Sequence, residues 1–308
     1  MSDKTDCLGL LLRGMAMGAA DVVPGVSGGT IAFITGIYDR LLNSLRSFSP
    51  TLLLLLKNEG IKACWKKVDG TFLVCVFSGI LISILSFAHL ISYLLAEYPV
   101  LIWSFFFGLI LVSGLHMVRQ IEHYSIGGGV LFVLAAVGAY LIGTLTPASL
   151  TPTPVMLFFA GSIAICAMIL PGISGSFLLL LMGLYATVLQ AVKTFDLFVL
   201  AIFASGCVVG LLSFSHVLSW LLRKHRDLAL SLLTGLMMGA LGKVWPWKQT
   251  LETRINSSGE VVPFLEVNVS PLNYESLTGT PAFLMPGLLL MAAAIIMFLM
   301  IEWLGHRK

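Results

Sequence analysis

The two halves of this chain repeat a short motif rich in proline and glycine, and that repeat constrains the fold more than any other feature. Residues 23–48 read VPGVSGGTIAFITGIYDRLLNSLRSF, and residues 170–195 read LPGISGSFLLLLMGLYATVLQAVKTF, aligned without a gap. A second pair of segments also agrees, since residues 86–95 read SFAHLISYLL and residues 213–222 read SFSHVLSWLL. A repeat of this kind indicates two structural units of the same fold.

Both units, which we place at residues 1–150 and 151–308, consist largely of apolar runs. Only 11% of the 308 residues are charged, whereas a soluble domain carries about 25%. A membrane-spanning helix needs roughly 17–25 apolar residues, and six runs approach or reach that length. They are residues 72–95, 100–117 and 127–145 in the first unit and 198–222, 228–242 and 283–303 in the second. The sequence therefore predicts an all-α polytopic membrane protein.

The apolar segments that flank each motif are shorter than these six runs. Residues 8–20 would form a helix of about 20 Å, which is less than the thickness of the hydrocarbon core. We therefore interpret residues 8–46 and 155–191 as re-entrant helix hairpins, each entering and leaving the membrane on one side. The alternative is that these segments cross the membrane fully, since 155–170 and 177–191 are nearly long enough.

Each unit then contains one hairpin and three transmembrane helices, so the second unit is predicted to be inverted relative to the first. With the N-terminus in the cytoplasm, 14 lysines and arginines fall on inner segments and four on outer segments. The four outer residues are Lys193, Lys243, Lys248 and Arg254. Cytoplasmic segments of membrane proteins are enriched in such residues. We expect both termini in the cytoplasm and the polar segment 243–282, a candidate hairpin cap, outside.

The two motifs are predicted to break their helices within the membrane. Proline has no N–H to donate, and glycine lets other groups approach the backbone closely. A new helix should begin near Thr30 and another near Phe177, with its first N–H groups unpaired and directed into the break. The positive end of a helix dipole favours an anion or a phosphate there. Paired broken helices in inverted units are typical of the binding sites of transporters.

We therefore predict a substrate-binding site at the two breaks; packing kinks without a ligand are the alternative. Its residues are Arg13, Pro24, Gly25, Ser27, Gly28, Gly29, Thr30, Pro171, Gly172, Ser174, Gly175 and Ser176. Asp21, which aligns with Met168, is a candidate for proton coupling, because ionisable residues within membranes are commonly functional. Capping of the broken helix is its alternative role. Arg13 would pair with Asp21 or with a substrate phosphate, or would extend to the cytoplasmic face.

Arg46 and Lys193 align with each other and follow the two hairpins, one at each predicted face. They would either act as gates that attract phosphate or anchor the hairpins at the interface. The five cysteines form no CxxC pair and accompany no histidine cluster, so we expect no metal and no cofactor. The net charge of +3 gives no indication of a nucleic-acid partner.

The run GAADVVPGVSGGTIAFITGIY, at residues 18–38, resembles the signature of a bacterial membrane family, the polyprenyl-phosphate transporters (PopT), formerly a domain of unknown function. LPGISGSFLLLLMGLY repeats it in the second unit. The resemblance implies a flippase that returns undecaprenyl phosphate, the lipid carrier of cell-wall precursors, from the outer to the inner leaflet of the cytoplasmic membrane. It supplies no set of site residues, so the predicted site depends on the physical argument alone.

Two other functions compete with lipid transport. A transporter or channel for a small anion would use the same paired half-helices, but within a closed pore rather than a groove open to the bilayer. A membrane enzyme would need a clustered nucleophile, base and metal-ligand set, and the sequence shows none, so we expect no enzymatic activity. Protons or sodium are the candidate coupling ions, and the sequence does not indicate an oligomeric state.

Overall fold

The computed structural model describes residues 7–23, 26–49, 51–145, 152–255 and 261–306. Pro24 and Gly25 of the predicted site lie outside the described residues. The N-terminal half contains α1 (Cys7–Val22), α2 (Gly28–Ile34), α3 (Tyr38–Arg46), α4 (Thr51–Glu59), α5 (Ile61–Lys67), α6 (Gly70–Glu97), α7 (Pro99–Arg119) and α8 (Ile126–Thr144).

The C-terminal half has a similar order of helices with one polar insertion. Its helices are α9 (Pro154–Ile169), α10 (Gly175–Leu181), α11 (Tyr185–Thr194), α12 (Leu197–Lys224), α13 (Arg226–Ala240), α14 (Pro271–Thr278) and α15 (Leu284–His306). The insertion precedes α14 and contains the antiparallel strands β1 (Lys248–Ile255) and β2 (Val261–Asn268). Segment 243–282 therefore folds into a β-hairpin followed by a short helix.

Several helices have the length and composition of membrane spans. Within the described residues, α6, α7, α8 and α12 are long and apolar enough to cross a membrane. α10 and α11 would add a fifth crossing if they formed one span, although the chain bends by 108° between them. α9 and the Leu284–Met300 part of α15 are apolar but shorter. The prediction of a helical, multi-pass membrane protein is confirmed.

The helix predicted to cross at residues 228–242 is short. α13 has 15 residues and spans about 22 Å, which is less than the hydrocarbon core of about 30 Å. The chain then turns at residues 241–244 instead of continuing the helix. A full crossing at this position would need the turn and the following residues to reach the interface.

The second arm of each predicted hairpin, which the sequence expects to begin as a new helix near Thr30 or Phe177, is interrupted in the structure. Gly36 and Gly183 both have a φ of +71°, a conformation that glycine adopts without steric cost. The N–H of Ile37 donates to Ala32 O and that of Leu184 to Leu179 O, each over 3.0 Å. These bonds close the ends of α2 and α10 in the same way, as a glycine-terminated helix does.

Small residues let α1 pack closely on α6, and α9 pack in the same way on α12. A Cβ on Gly14 would collide with the carbonyl oxygen of Val76, and one on Gly79 with that of Leu11. In the other half, Gly161 faces the Phe203 carbonyl and Gly206 faces the Phe158 carbonyl. Close backbone approach through small residues is the usual packing of helices in membranes.

Two further helix pairs join the halves to each other. Gly108 of α7 lies against the Met291 carbonyl of α15, while Gly235 of α13 lies against the Phe132 carbonyl of α8. α7 therefore packs on a helix from the C-terminal half, and α13 packs on one from the N-terminal half. The two pairs also contact each other, through α7 and α13.

Candidate functional site

The two broken segments contact each other directly. The Ser27 hydroxyl donates to the Met168 carbonyl over 2.9 Å, and the backbone N–H of Gly172 donates to the Thr30 hydroxyl over 3.1 Å. Ser27 and Thr30 are almost completely buried at this contact. The structure thus brings together residues that lie more than 140 positions apart in the chain.

Glycines make this contact possible. A Cβ on Gly29 would collide with the carbonyl oxygens of Met168 and Ile169, at the end of α9. Gly172, with a φ of +87°, lies against the backbone of Met237 in α13. A side chain on Gly29 would push the first break away from the end of α9, and one on Gly172 would push the second break away from α13.

A cavity of about 80 Å³ lies between the two breaks, and we call it the central cavity. Its lining residues are Asp21, Ser27, Met168, Ser174, Gly175 and Ser176. Five of these six offer a carboxyl, a hydroxyl or the backbone of a glycine. The central cavity is large enough for two or three water molecules, each occupying about 30 Å³.

In the first break, a carboxylate of the protein itself occupies the start of the new helix. The N–H of Gly28 donates to Asp21 Oδ1 over 2.7 Å, and the N–H of Gly29 donates to the Ser27 hydroxyl over 3.1 Å. The amide groups that we expected to be unpaired here therefore have partners. Asp21 stands where an external anion would otherwise bind.

The second break is different because no carboxylate caps it. The position equivalent to Asp21 is Met168, which offers no acceptor oxygen from its side chain. The Ser174 and Ser176 hydroxyls hydrogen-bond each other over 2.9 Å. In the described part of the chain, the Gly175 and Ser176 amides donate no hydrogen bond. The central cavity thus has free donors on the side of the second break.

A smaller cavity of about 20 Å³ adjoins the second break, and we call it the lysine cavity. Lys243, Phe177, Ser174, Ile173 and Gly172 contribute to its lining. The Lys243 ammonium lies 4.5 Å from the centre of the Phe177 ring. Sequence reasoning placed Lys243 on the outer segment and gave it no role at the site, because its approach to the break depends on how α13 packs.

The other predicted residues lie apart from both cavities. Arg13 is exposed on α1, about 12 Å along the helix from Asp21, and makes no ion pair with the residues that the structure describes. Arg46 is partly exposed and Lys193 is exposed. Pro171 is buried directly after α9, where it ends the helix. The structure groups the serines, Thr30, the glycines and Asp21, but not the three basic residues.

Comparisons with known proteins give one family and two relatives that match this chain. Residues 17–262 match the family described as undecaprenyl phosphate translocase-like. The chain is 56% identical over 303 residues to a polyprenyl-phosphate transporter of Vibrio cholerae serotype O1, covering 98% of each chain. It is 30% identical over 265 residues to a polyprenyl-phosphate transporter of Staphylococcus aureus, covering 77% of this chain and 85% of that one. No solved structure is significantly similar to the chain.

Proposed function

This chain belongs to the undecaprenyl phosphate translocase-like family, and from that premise we propose that it returns undecaprenyl phosphate from the outer to the inner leaflet of the bacterial cytoplasmic membrane. The observation that carries the proposal is the central cavity between the two breaks. On the side of the second break it presents the Ser174 and Ser176 hydroxyls and the free amides of Gly175 and Ser176. Such hydroxyl and amide donors suit a phosphate group.

The surface around the central cavity favours a lipid over a small anion. Met168 is 41% exposed and Ser176 is also exposed, so the central cavity lies next to the surface of the molecule, where we propose that it opens to the bilayer. A lipid phosphate needs such an opening, because its prenyl chain stays in the bilayer while the headgroup enters. A pore for a small anion would be closed on that side.

We place the central cavity at the middle of the membrane, between two inverted units at 1–150 and 151–308. The equivalent packing of α1 on α6 and of α9 on α12 supports two units of one fold. The excess of lysine and arginine on the inner segments supports cytoplasmic termini. The β-hairpin of segment 243–282 would then lie at the outer face.

Asp21 supplies a route to proton coupling. A charged Asp21 carboxylate and a phosphate in the same cavity would repel each other. A protonated Asp21 carboxyl would tolerate the phosphate, and release of the proton to the cytoplasm would help to expel it. Coupling of this kind requires that the substrate binds the two protonation states with different affinities.

Lipid exchange in proteoliposomes tests the function. Undecaprenyl phosphate carrying a dithionite-sensitive fluorophore is placed in both leaflets, and dithionite outside the vesicles then removes the outer signal. Labelled lipid from the inner leaflet should reach the outer leaflet, and lose its fluorescence, faster in vesicles with the protein than in protein-free vesicles. An inwardly directed proton gradient should change that rate. Chloride flux through the same vesicles should stay at background. Exchange no faster than in protein-free vesicles would reject the proposed function, and chloride flux without lipid exchange would favour the small-anion transporter.

A further inference from the structure

Among the described residues, the ammonium of Lys243 lies against an aromatic ring and makes no contact ion pair with a carboxylate. The residue follows α13, and its Cβ lies close to Gly143 of α8. Its ammonium contacts the face of the Phe177 ring, 4.5 Å from the ring centre. Among the described residues, no carboxylate lies within 4.0 Å of this ammonium; the nearby Glu266 pairs instead with Lys248 over 3.7 Å.

The equivalent position in the N-terminal half has a carboxylate beside it. His116, near the end of α7, aligns with Lys243, and its Nδ1 lies 3.0 Å from Glu302 of α15. The helix that packs on α13 in the corresponding way is α8, which contains no aspartate or glutamate. The charge of Lys243 therefore has no built-in partner of the kind that His116 has.

The location of Lys243 connects this charge with the proposed site. The lysine cavity is lined by Lys243 and by Gly172 and Ile173 of the second break. Ser174 lines both the lysine cavity and the central cavity. A phosphate bound by the Lys243 ammonium would thus lie next to Ser174, which also lines the central cavity.

We propose that Lys243 and Ser174 form an outer phosphate subsite, which binds the phosphate monoester of the substrate before it enters the central cavity. The subsite depends on the proposed function, since it serves the same lipid. The phosphate would replace the Phe177 ring as the partner of the ammonium, because a charge-assisted hydrogen bond to phosphate is stronger than contact with an aromatic face. Phe177 holds the ammonium in place while the subsite is empty.

The test is the dependence of lipid exchange on the mole fraction of undecaprenyl phosphate. Lys243→Met removes the charge and keeps most of the side-chain volume, so the half-saturating mole fraction should rise about tenfold, the loss expected for one charge-assisted hydrogen bond. Lys243→Arg keeps the charge and should remain within about threefold of wild type. Lys62→Met makes the same substitution at an exposed position of α5 and should leave exchange unchanged.

Three results would overturn the subsite. The first is an unchanged half-saturating mole fraction in Lys243→Met. The second is a Lys243→Arg variant as defective as Lys243→Met while both unfold at the wild-type temperature. The third is a rise in the half-saturating mole fraction of Lys62→Met equal to that of Lys243→Met. Failure of the wild-type protein to exchange lipid would instead reject the proposed function. The two failures are therefore distinguishable.

Inorganic phosphate separates the headgroup from the prenyl chain. If the subsite binds any phosphate, millimolar inorganic phosphate outside the vesicles should slow lipid exchange by wild type and Lys243→Arg more than by Lys243→Met. If binding also needs the prenyl chain, inorganic phosphate should have no effect while the Met variant still requires more lipid. Equal inhibition of all three proteins would contradict a role for Lys243 in binding phosphate.

Discussion

Asp21 has two roles that its position makes compatible. Its carboxyl group accepts a hydrogen bond from the Gly28 N–H and also lines the central cavity. The first role stabilises the start of α2, because helix-start amides need an acceptor. The second brings a titratable group next to the proposed phosphate. Substitution by asparagine separates these roles, since an amide oxygen accepts the same bond but does not titrate.

We expect Asp21→Asn to fold and to exchange lipid, but to lose its response to a pH gradient. Asparagine caps helices about as well as aspartate, so the local structure should persist. Exchange rates with and without an imposed gradient measure the effect, with Asp39→Asn as the matched control at an exposed position of α3. An Asp21→Asn protein with the gradient dependence of wild type would exclude Asp21 from coupling.

A methyl group at the second break should block transport. A Cβ on Gly175 would meet the Ala164 carbonyl and the Met168 side chain, and it would displace the free amides from the central cavity. We expect Gly175→Ala to slow lipid exchange at least about tenfold. Gly138→Ala is the matched control, because nothing lies within 4 Å of a Cβ there. Wild-type exchange by Gly175→Ala would show that the second break does not bind the substrate.

At the residue scale, the sequence identified the two breaks, but it did not identify the residues from distant parts of the chain that contact them. Proline, glycine and serine act on their own backbone, so the positions of Ser27 and Ser174 could be predicted locally. The contact of Thr30 with Gly172 and the approach of Lys243 depend on packing between distant helices. Arg13 is a separate case, because it lies on the same helix as Asp21 and the rise of that helix places it about 12 Å along the axis.

The elements differ in how far local sequence determines them. The structure has helices at Gly70–Glu97 and Ile126–Thr144, where the sequence predicted 72–95 and 127–145. Long apolar runs indicate their own helices because the bilayer leaves few alternatives. The interruptions at Gly36 and Gly183 were missed, since a single glycine also occurs inside continuous helices.

The β-hairpin is attached to the helices through Lys248. Its ammonium lies 4.2 Å from the centre of the Trp103 ring of α7 and donates to the Lys243 carbonyl over 2.6 Å. Burial lowers the pKa of Lys248 from 10.5 to about 8, opposed by the nearby Glu266. Between these two values the unfolded chain binds more protons than the folded one, so stability rises with pH in that interval.

This linkage predicts the behaviour of Lys248→Met. Between about pH 8 and pH 10, the unfolding temperature of wild type should increase relative to that of the methionine variant, because only wild type loses a buried charge there. Below pH 8 the difference should be constant, since Lys248 is then protonated in both states. Thermal unfolding in detergent, followed by tryptophan fluorescence, measures it. Parallel profiles from pH 7 to pH 10 would contradict the lowered pKa.

The two halves of the chain repeat in sequence, but equivalent residues in them are packed differently in the structure. Tyr38 is 3% exposed and donates to the Ile169 carbonyl, whereas the equivalent Tyr185 is 40% exposed. α3 packs against α12, and the Ser219 hydroxyl donates to Asn43 over 3.2 Å. The α11 helix, equivalent to α3, is largely exposed. Among the described residues, α3 is thus packed against the other half of the chain, whereas α11 is largely exposed.

This asymmetry predicts a second conformation in which the two hairpins exchange their environments. In transporters with inverted repeats, one repeat moves against the other around a fixed site, and if the units of this chain are inverted we expect each to adopt in turn the packing that the other has. Asn43 aligns with Gln190 and Ser219 with Ser92, so α11 should then pack on α6 with residues 190 and 92 adjacent.

In a protein without native cysteines, the pair at 43 and 219 and the pair at 92 and 190 should each form a disulfide. Either disulfide should stop lipid exchange, and reduction should restore it. Single cysteines at 43 or 190 serve as controls. A pair at 92 and 190 that never cross-links while exchange proceeds would show that the hairpins do not exchange roles.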